Sequence, residues 1–342
     1  MIGIGVIGYG YWGPNLVRNF MEADGARVVA LSDLRPERLA LAERRYPSIK
    51  RTTDYRELLR DPAVDAVVIA TPVSSHFDLT LEALQAYKHV LVEKPLATSS
   101  EQAERLIEEA ERRQRILMVD HTFVYTGAVR NIREMVAGNA LGDIYYYDSV
   151  RVNLGLFQHD MNVIWDLAVH DLSIMDYVLP VKPIAVSATG ISNIQGQPEN
   201  VAYITLFFPD RQIAHIHVNW LAPVKVRRTL IGGSEKMVVY DDLEPSEKVK
   251  IYDKGVTVSQ RPEAVYEMLV SYRAGDMWAP RLDGAEALHT EAAHFIECIL
   301  DQKRPETDGE AGLRIVRILE AATRSLNGRG QLMELSLAAQ TA

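Results

Sequence analysis

The chain has 342 residues, 47% of them hydrophobic and 24% charged, a formal net charge of −9 and a single cysteine. That length exceeds one ordinary core and predicts two domains. The acidic balance argues against a dedicated nucleic-acid or anionic-membrane surface, lone Cys298 excludes an intrachain disulfide, and no apolar stretch reaches bilayer length.

Residues 2–7 open as a buried strand with no apolar leader before it, so a cytoplasmic chain is expected. The strand runs into Gly8-Tyr9-Gly10-Tyr11-Trp12-Gly13 and then a helix. In that context Gly8 permits a tight turn, Gly10 lets the main chain approach a pyrophosphate, and Gly13 lets the helix pack closely. Tyr11 and Trp12 fill the variable places of the same cofactor loop. Arg27–Ser32 reads as a near-continuously apolar second strand. Asp33 ends it, about 20 residues beyond the glycines, where a carboxylate accepts ribose hydroxyls and repels a 2′-phosphate. NAD is the cofactor this favours. Arg35 and Arg38 keep NADP open, because a guanidinium pairs with that phosphate.

A helix over Pro36–Tyr46, a short strand near Lys50 and a brief helix over Asp54–Arg60 follow. Then come a strand over Asp65–Thr71 stopped by Pro72, a helix over His76–Ala86 and a strand over Lys88–Val92. Ser99 and Gln102 stand at capping-box spacing, opening a helix to about Arg113, and Ile116–Val119 is the next strand. Strands alternating with helices on this rhythm predict an α/β, doubly wound parallel sheet, the Rossmann arrangement. Its ligand edge would carry Thr71, Pro72, Glu93 and Lys94. Pro95 fixes the turn that aims Lys94, whose ammonium can polarise a hydroxyl or carbonyl. His76 reads either as lining the cofactor crevice or as a structural histidine at a helix end.

The rhythm changes near Asp120–Thr122, giving domains over 1–121 and 122–342. A helix over Thr126–Val136 and a strand over Tyr145–Val152 precede one helix over Val163–Leu179, with Ile164, Ala168, Leu172, Met175 and Leu179 on one face. Asp166 and His170, four apart, share its polar face, where a carboxylate can set the imidazole tautomer and raise its basicity. His159 could join them on a metal, but no tight ligand cluster recurs, so no metal is expected. From Ile184 to about Ser259 five or six strands without helices predict an antiparallel meander, and two helices, near Ala285–Leu300 and Asp308–Leu326, close the chain. The second domain is thus α+β with an open, mostly antiparallel sheet, whose uncovered face suggests a homo-oligomer.

In this order the glycine loop, Asp33, Ala70-Thr71-Pro72 with His76, Glu93-Lys94-Pro95 and Trp165-Asp166-Leu167-Ala168-Val169-His170-Asp171 resemble the glucose–fructose oxidoreductase / inositol dehydrogenase (Gfo/Idh/MocA) family. The likeness covers essentially the whole chain, through Pro305-Glu306-Thr307-Asp308-Gly309. It implies a Rossmann domain plus an open-sheet domain, homodimers or homotetramers, and a sugar, cyclitol or nucleotide-sugar substrate. Lys94, Asp166 and His170 would be the catalytic group, with Lys94 and His170 able to exchange roles.

Val163–Ile174 looks like bacterial members that oxidise UDP-N-acetylglucosamine-type sugars at C3 or reduce 3-keto nucleotide sugars, although Val169 stands where those have proline. His121–Tyr125 lacks the arginine that many members carry before the phenylalanine. Asn153, Trp165, Trp220, Lys225, Arg227 and Arg228 are candidate linings for a polar sugar and a phosphate. An inositol or free-sugar dehydrogenase is the alternative within the family. A non-catalytic NAD(H) sensor is the alternative class, but it would carry a DNA-binding pattern or basic stripe, which the sequence lacks.

Overall fold

The first strand, β1 (Ile2–Ile7), is buried from Gly3 onward, as a strand in the middle of a parallel sheet must be. The computed structural model describes residues 1–155, 161–258 and 270–335. After β1 come α1 (Gly13–Glu22), β2 (Ala26–Ser32), α2 (Pro36–Arg45), β3 (Lys50–Thr52), α3 (Tyr55–Arg60) and β4 (Ala66–Ile69). They are followed by α4 (His76–Gln85), β5 (His89–Glu93), α5 (Ser100–Arg113) and β6 (Leu117–Asp120). The six strands are all parallel, in the order β3-β2-β1-β4-β5-β6. The chain builds outward from β1 to one edge, then crosses to β4 on the other side. That reversal puts the ligand crevice at the carboxyl ends of β1 and β4.

The expected cap of α5 forms with one change. Ser99 Oγ accepts the Gln102 N–H at 3.2 Å, but the Gln102 side chain reaches back to Thr98 N and Oγ1, at 3.2 and 2.8 Å.

Two compact units divide the chain: Met1–Thr126 with Ala285–Arg317, and Gly127–Gly284 with the chain from Ile318. Within the first, α8 (Ala287–Asp301) lies on α1, with Phe295 edge-on to Phe20 at 6.2 Å. Arg18 donates to both carboxylate oxygens of Glu286, at 2.9 and 2.6 Å.

The second unit contains α6 (Gly127–Ala137), β7 (Ile144–Leu154), a π-helical turn over Ile164–Ala168 and α7 (Val169–Val178). Strands β8 (Ala185–Ile191), β9 (Val201–Phe207), β10 (Ile213–Asn219), β11 (Leu221–Gly233), β12 (Met237–Asp241) and β13 (Val249–Tyr252) follow. A small hairpin pairs β14 (Gly255–Val258) with β15 (Val270–Arg273), and β16 (Met277–Trp278) returns to the large sheet. After α9 (Gly309–Asn327), β17 (Met333–Glu334) adds its last edge.

The nine strands run β16-β13-β12-β11-β7-β10-β9-β8-β17. This corrects the simple meander. β7, although first in the chain, sits between β10 and β11 and pairs parallel with β10. The chain leaves β7 through the helical segment and builds β8-β9-β10. It then returns along β7 before crossing to β11, so a helical crossover replaces one hairpin.

The single amphipathic helix over 163–179 is also corrected. It opens with the π turn, and α7 buries Val169, Asp171, Leu172, Ser173, Ile174, Met175, Asp176 and Val178, leaving His170 and Tyr177 half-buried. Its buried acids have found partners inside: Asp171 pairs with Arg151, and Asp176 with Lys182. Among the described residues no helix is long and apolar enough to cross a membrane.

Candidate functional site

The glycine loop is shaped by main-chain crowding. Gly8 has φ +97°, and a Cβ there would lie 2.5 Å from the Ala70 carbonyl oxygen; one at Gly13 would lie 2.2 Å from that of Gly8. Gly10 differs, because a Cβ there would meet only the Arg35 guanidinium, at 3.5 Å. Two glycines are thus required by the fold, and the third keeps a space clear. No side chain caps α1, whose Asn15 and Leu16 N–H groups turn back onto the Trp12 carbonyl at 2.9 and 3.3 Å, and Pro14 at the start costs no donor. Tyr11 is 88% exposed, whereas Trp12 turns inward and donates Nε1–H to Asp120 Oδ2 at 3.0 Å.

Asp33 sits where the ribose would be read. Its Oδ2 accepts the Tyr9 N–H at 2.7 Å, and its Oδ1 accepts the Arg35 N–H at 2.9 Å and Nε–H at 3.1 Å. Burial works to raise its pKa, but the Arg35 side chain and the two main-chain donors outweigh it, so the carboxyl titrates below its usual range. The loop and the acid together fit a dinucleotide: a cradle that a Cβ would fill, a helix N-terminus with no side-chain cap and a fixed carboxylate.

At the ends of β4 and β5, Thr71 Oγ1 accepts from Ser75 Oγ at 2.8 Å, and Pro72 is exposed. His76 is 1% exposed, with Nδ1 2.8 Å from Pro95 O and Nε2 2.9 Å from Thr71 O. Its imidazole therefore ties the turn after β4 to the turn after β5, which is the structural one of its two readings. Burial lowers its pKa, against the two carbonyl contacts. Glu93 Oε2 accepts the Lys94 N–H at 3.1 Å, and Lys94 is half-buried.

In the second unit Asp166 lies in the π turn, four residues before His170 in the chain. Its Oδ2 accepts Nε1–H of Trp220 at 3.0 Å. Trp220, a candidate lining residue, is 1% exposed. His170 is half-buried in the first turn of α7, its Nδ1 shielded from solvent, and its carbonyl accepts from Ser173 Oγ at 2.7 Å. Asp171 is held by Arg151 Nε at 2.7 Å and Ser149 Oγ at 2.6 Å.

The other candidates scatter. Trp165 donates Nε1–H to Thr323 Oγ1 at 2.9 Å, and Asn153 is half-buried near the end of β7. Arg227 pairs with Asp242 at 3.1 Å, while Arg228 is exposed. Arg227 and Arg228 are successive residues of β11 and so point to opposite faces of the sheet. Lys225 is exposed where the β11 register shifts, and His159 lies outside the described residues. Arg151 and Trp220 were not recognisable as partners of Asp171 and Asp166. The one available signal was the Ser149/Arg151 alternation in β7.

Comparison with known proteins agrees with this layout. The profile of the GFO/IDH/MocA oxidoreductase family, NAD-binding Rossmann fold, matches residues 2–121, and that of the GFO/IDH/MocA C-terminal domain matches residues 129–239. A myo-inositol 2-dehydrogenase of Thermotoga maritima is 25% identical over 341 residues, covering 94% of this chain and 96% of the relative. A UDP-N-acetylglucosamine 3-dehydrogenase of Acidithiobacillus ferrooxidans is 28% identical over 321 residues, covering 91% and 93%. A crystal structure of the Acidithiobacillus enzyme superposes with a TM-score of 0.82 at 24% identity, covering 97% of this chain and 100% of that one.

Proposed function

The chain belongs to the GFO/IDH/MocA oxidoreductase family and is an NAD(P)-dependent oxidoreductase, and from that premise we propose that it moves a hydride at a sugar carbinol carbon, C3 of a nucleotide sugar. Gly8, Gly10, Gly13 and the start of α1 would hold the pyrophosphate, with Asp33 on the adenosine ribose selecting NAD over NADP. When bound, the nicotinamide supplies the hydride acceptor or donor. His170, through Nε2, takes the hydroxyl proton in the oxidation direction, Asp166 sets its basicity, and the Lys94 ammonium stabilises the developing oxyanion.

The observation that carries this reading is the main-chain fixation of the Lys94 turn: Glu93 accepts the Lys94 N–H, and His76 holds the next carbonyl. A surface lysine with no task needs no such double tether. The nucleotide-sugar choice is supported by the sequence Val163–Ile174 and by the 28% identity to the UDP-N-acetylglucosamine enzyme, against 25% to the inositol enzyme. An inositol or free-sugar dehydrogenase is the second reading, favoured by the near end-to-end match to the Thermotoga enzyme.

Purified protein with NAD⁺ is offered UDP-N-acetylglucosamine or myo-inositol, and reduced cofactor is followed by absorbance. Turnover with the nucleotide sugar is expected. Turnover with myo-inositol alone moves the assignment to the second reading. Lys94→Ala and His170→Ala should each reduce turnover by roughly 10²–10⁴-fold with NAD⁺ affinity retained. Near-normal turnover in both variants refutes the catalytic roles.

A further inference from the structure

β5 and β6 are paired in register so that Glu93 stands directly beside Asp120. Glu291 of α8, 0% exposed, completes a buried group with them in the first unit. Both oxygens of Asp120 are already acceptors: Oδ2 takes Trp12 Nε1–H at 3.0 Å and Oδ1 takes Thr122 Oγ1–H at 2.5 Å. Glu93 Oε2 takes the Lys94 N–H, whereas Glu93 Oε1 and both oxygens of Glu291 are sealed from solvent.

Such an arrangement cannot carry three negative charges, because desolvated neighbouring carboxylates repel. Burial first, then the nearby Asp120, pushes Glu93 and Glu291 well above the carboxylate range. Each then has an O–H to donate to Asp120. The other groups facing the cluster are the Lys94 ammonium, which acts against the rise at Glu93, and Thr122, which acts against it at Glu291. Tyr125, whose phenol is pushed up by burial and then by Glu291, and His121 beside Asp120 complete the surroundings.

We propose that Glu93, Asp120 and Glu291 form a proton-holding buttress that ties the nucleotide loop, through Trp12, to the Lys94 turn, with Glu93 and Glu291 as positioning residues. Asp120 anchors Trp12 on one side and accepts from the two protonated glutamic acids on the other. Loss of the Glu93 proton places two carboxylates side by side at the ends of β5 and β6, and loss of the Glu291 proton does the same between α8 and β6. Repulsion then releases the Trp12 contact and the Lys94 N–H together. Nothing here requires the sugar assignment. Only the importance of the Lys94 turn rests on the proposed function, and the measurements below do not use turnover.

Glu291→Gln keeps the size and a donor for Asp120 but cannot ionise. NAD⁺ affinity of the full chain and its thermal midpoint are measured across neutral to alkaline pH, for wild type and for Glu291→Gln. Wild-type affinity should weaken by up to about tenfold per pH unit once the first of those protons leaves; Glu291→Gln should keep only the Glu93 part of that dependence, and the double variant Glu93→Gln/Glu291→Gln should stay flat.

The stability sign is set by the raised folded pKa values. The folded state holds more protons than the unfolded chain above the ordinary carboxyl value of 4.5, so wild-type stability falls as pH rises from there through the folded pKa. The midpoint advantage of Glu291→Gln should therefore grow with pH. Infrared spectra of the NAD⁺-loaded protein should show a protonated-carboxyl carbonyl stretch at neutral pH that weakens in Glu291→Gln and is lost in the double variant Glu93→Gln/Glu291→Gln. If that variant does not fold, Glu93→Gln is read in the same way, and the wild-type infrared band alone still decides. Absence of the band, or a midpoint change independent of pH, overturns the proposal.

Discussion

Arg151 Nε lies 2.7 Å from Asp171 Oδ2, with the two side chains 3% and 2% exposed. Asp171 Oδ1 also accepts from Ser149 Oγ at 2.6 Å, and the Asp171 carbonyl accepts from Tyr147 OH at 3.2 Å. Three alternate residues of β7 thus pin the first turn of α7, one residue beyond His170. Removing one partner of a buried pair leaves a charge with neither water nor counter-ion, at a cost of about 3–5 kcal/mol. Arg151→Ala should lose that much in urea unfolding and should also lower turnover, with NAD⁺ affinity unchanged. A loss under about 1 kcal/mol in urea would show that the pair is not a structural anchor.

The three glycines of the loop should separate into two kinds. A Cβ at Gly13 collides with the Gly8 carbonyl, a main-chain atom that cannot swing aside. Gly13→Ala should therefore lower stability by about 1–3 kcal/mol and weaken NAD⁺ as well. Gly10→Ala meets only the end of the Arg35 side chain, so its thermal midpoint should stay near wild type while NAD⁺ affinity falls. Thermal melts paired with NAD⁺ titrations check both. Equal midpoint losses in the two variants would contradict the division.

Arg35 is engaged with Asp33 and does not stand apart as a phosphate ligand. Asp33→Ser should weaken NAD⁺ and strengthen NADP⁺, because it removes the repelling carboxylate and releases the guanidinium at one stroke. The pH dependence follows from the depressed pKa. The stabilising contribution of Asp33 is fully present above its unfolded value of 3.8 and is lost as pH falls through the lower folded value. The ratio of NAD⁺ to NADP⁺ affinity should accordingly be constant between pH 5 and 8 in wild type. A ratio that changes across this window would point to a different discriminating group.

What could be read beforehand divides along the range of the interactions. The parallel sheet, the glycine loop and Asp33 were legible because each is encoded locally, by an apolar run, a turn or a short spacing. The π turn at Ile164–Ala168 was not, since it follows from tertiary packing around Asp166 and Trp220 rather than from any periodicity in the segment. The place of β7 between β10 and β11 was hidden for a similar reason: strand neighbours far apart in sequence leave no local mark.

The remaining expectation concerns the outer face of the nine-stranded sheet. Its inner face buries Ala202, Ile204, Leu206, Ala214, Ile216 and Val218. On the outer face Tyr203 stacks on His217 at 4.4 Å, and Phe207 and Ile213 are cross-strand neighbours, 37% and 42% exposed. An apolar strip of this kind on an open sheet is better covered than left in water, and a second copy of the same face supplies a self-complementary partner. Light scattering of the wild-type protein should therefore report a homodimer or homotetramer. The double variant Phe207→Asp/Ile213→Asp should be a monomer, because it places carboxylates side by side across the strand pair and against their symmetry mates. Its NAD⁺ affinity should be that of wild type, since neither residue belongs to the nucleotide site. A wild-type monomer at micromolar concentration would remove the interface, and an oligomer that survives both carboxylates would move it to another surface.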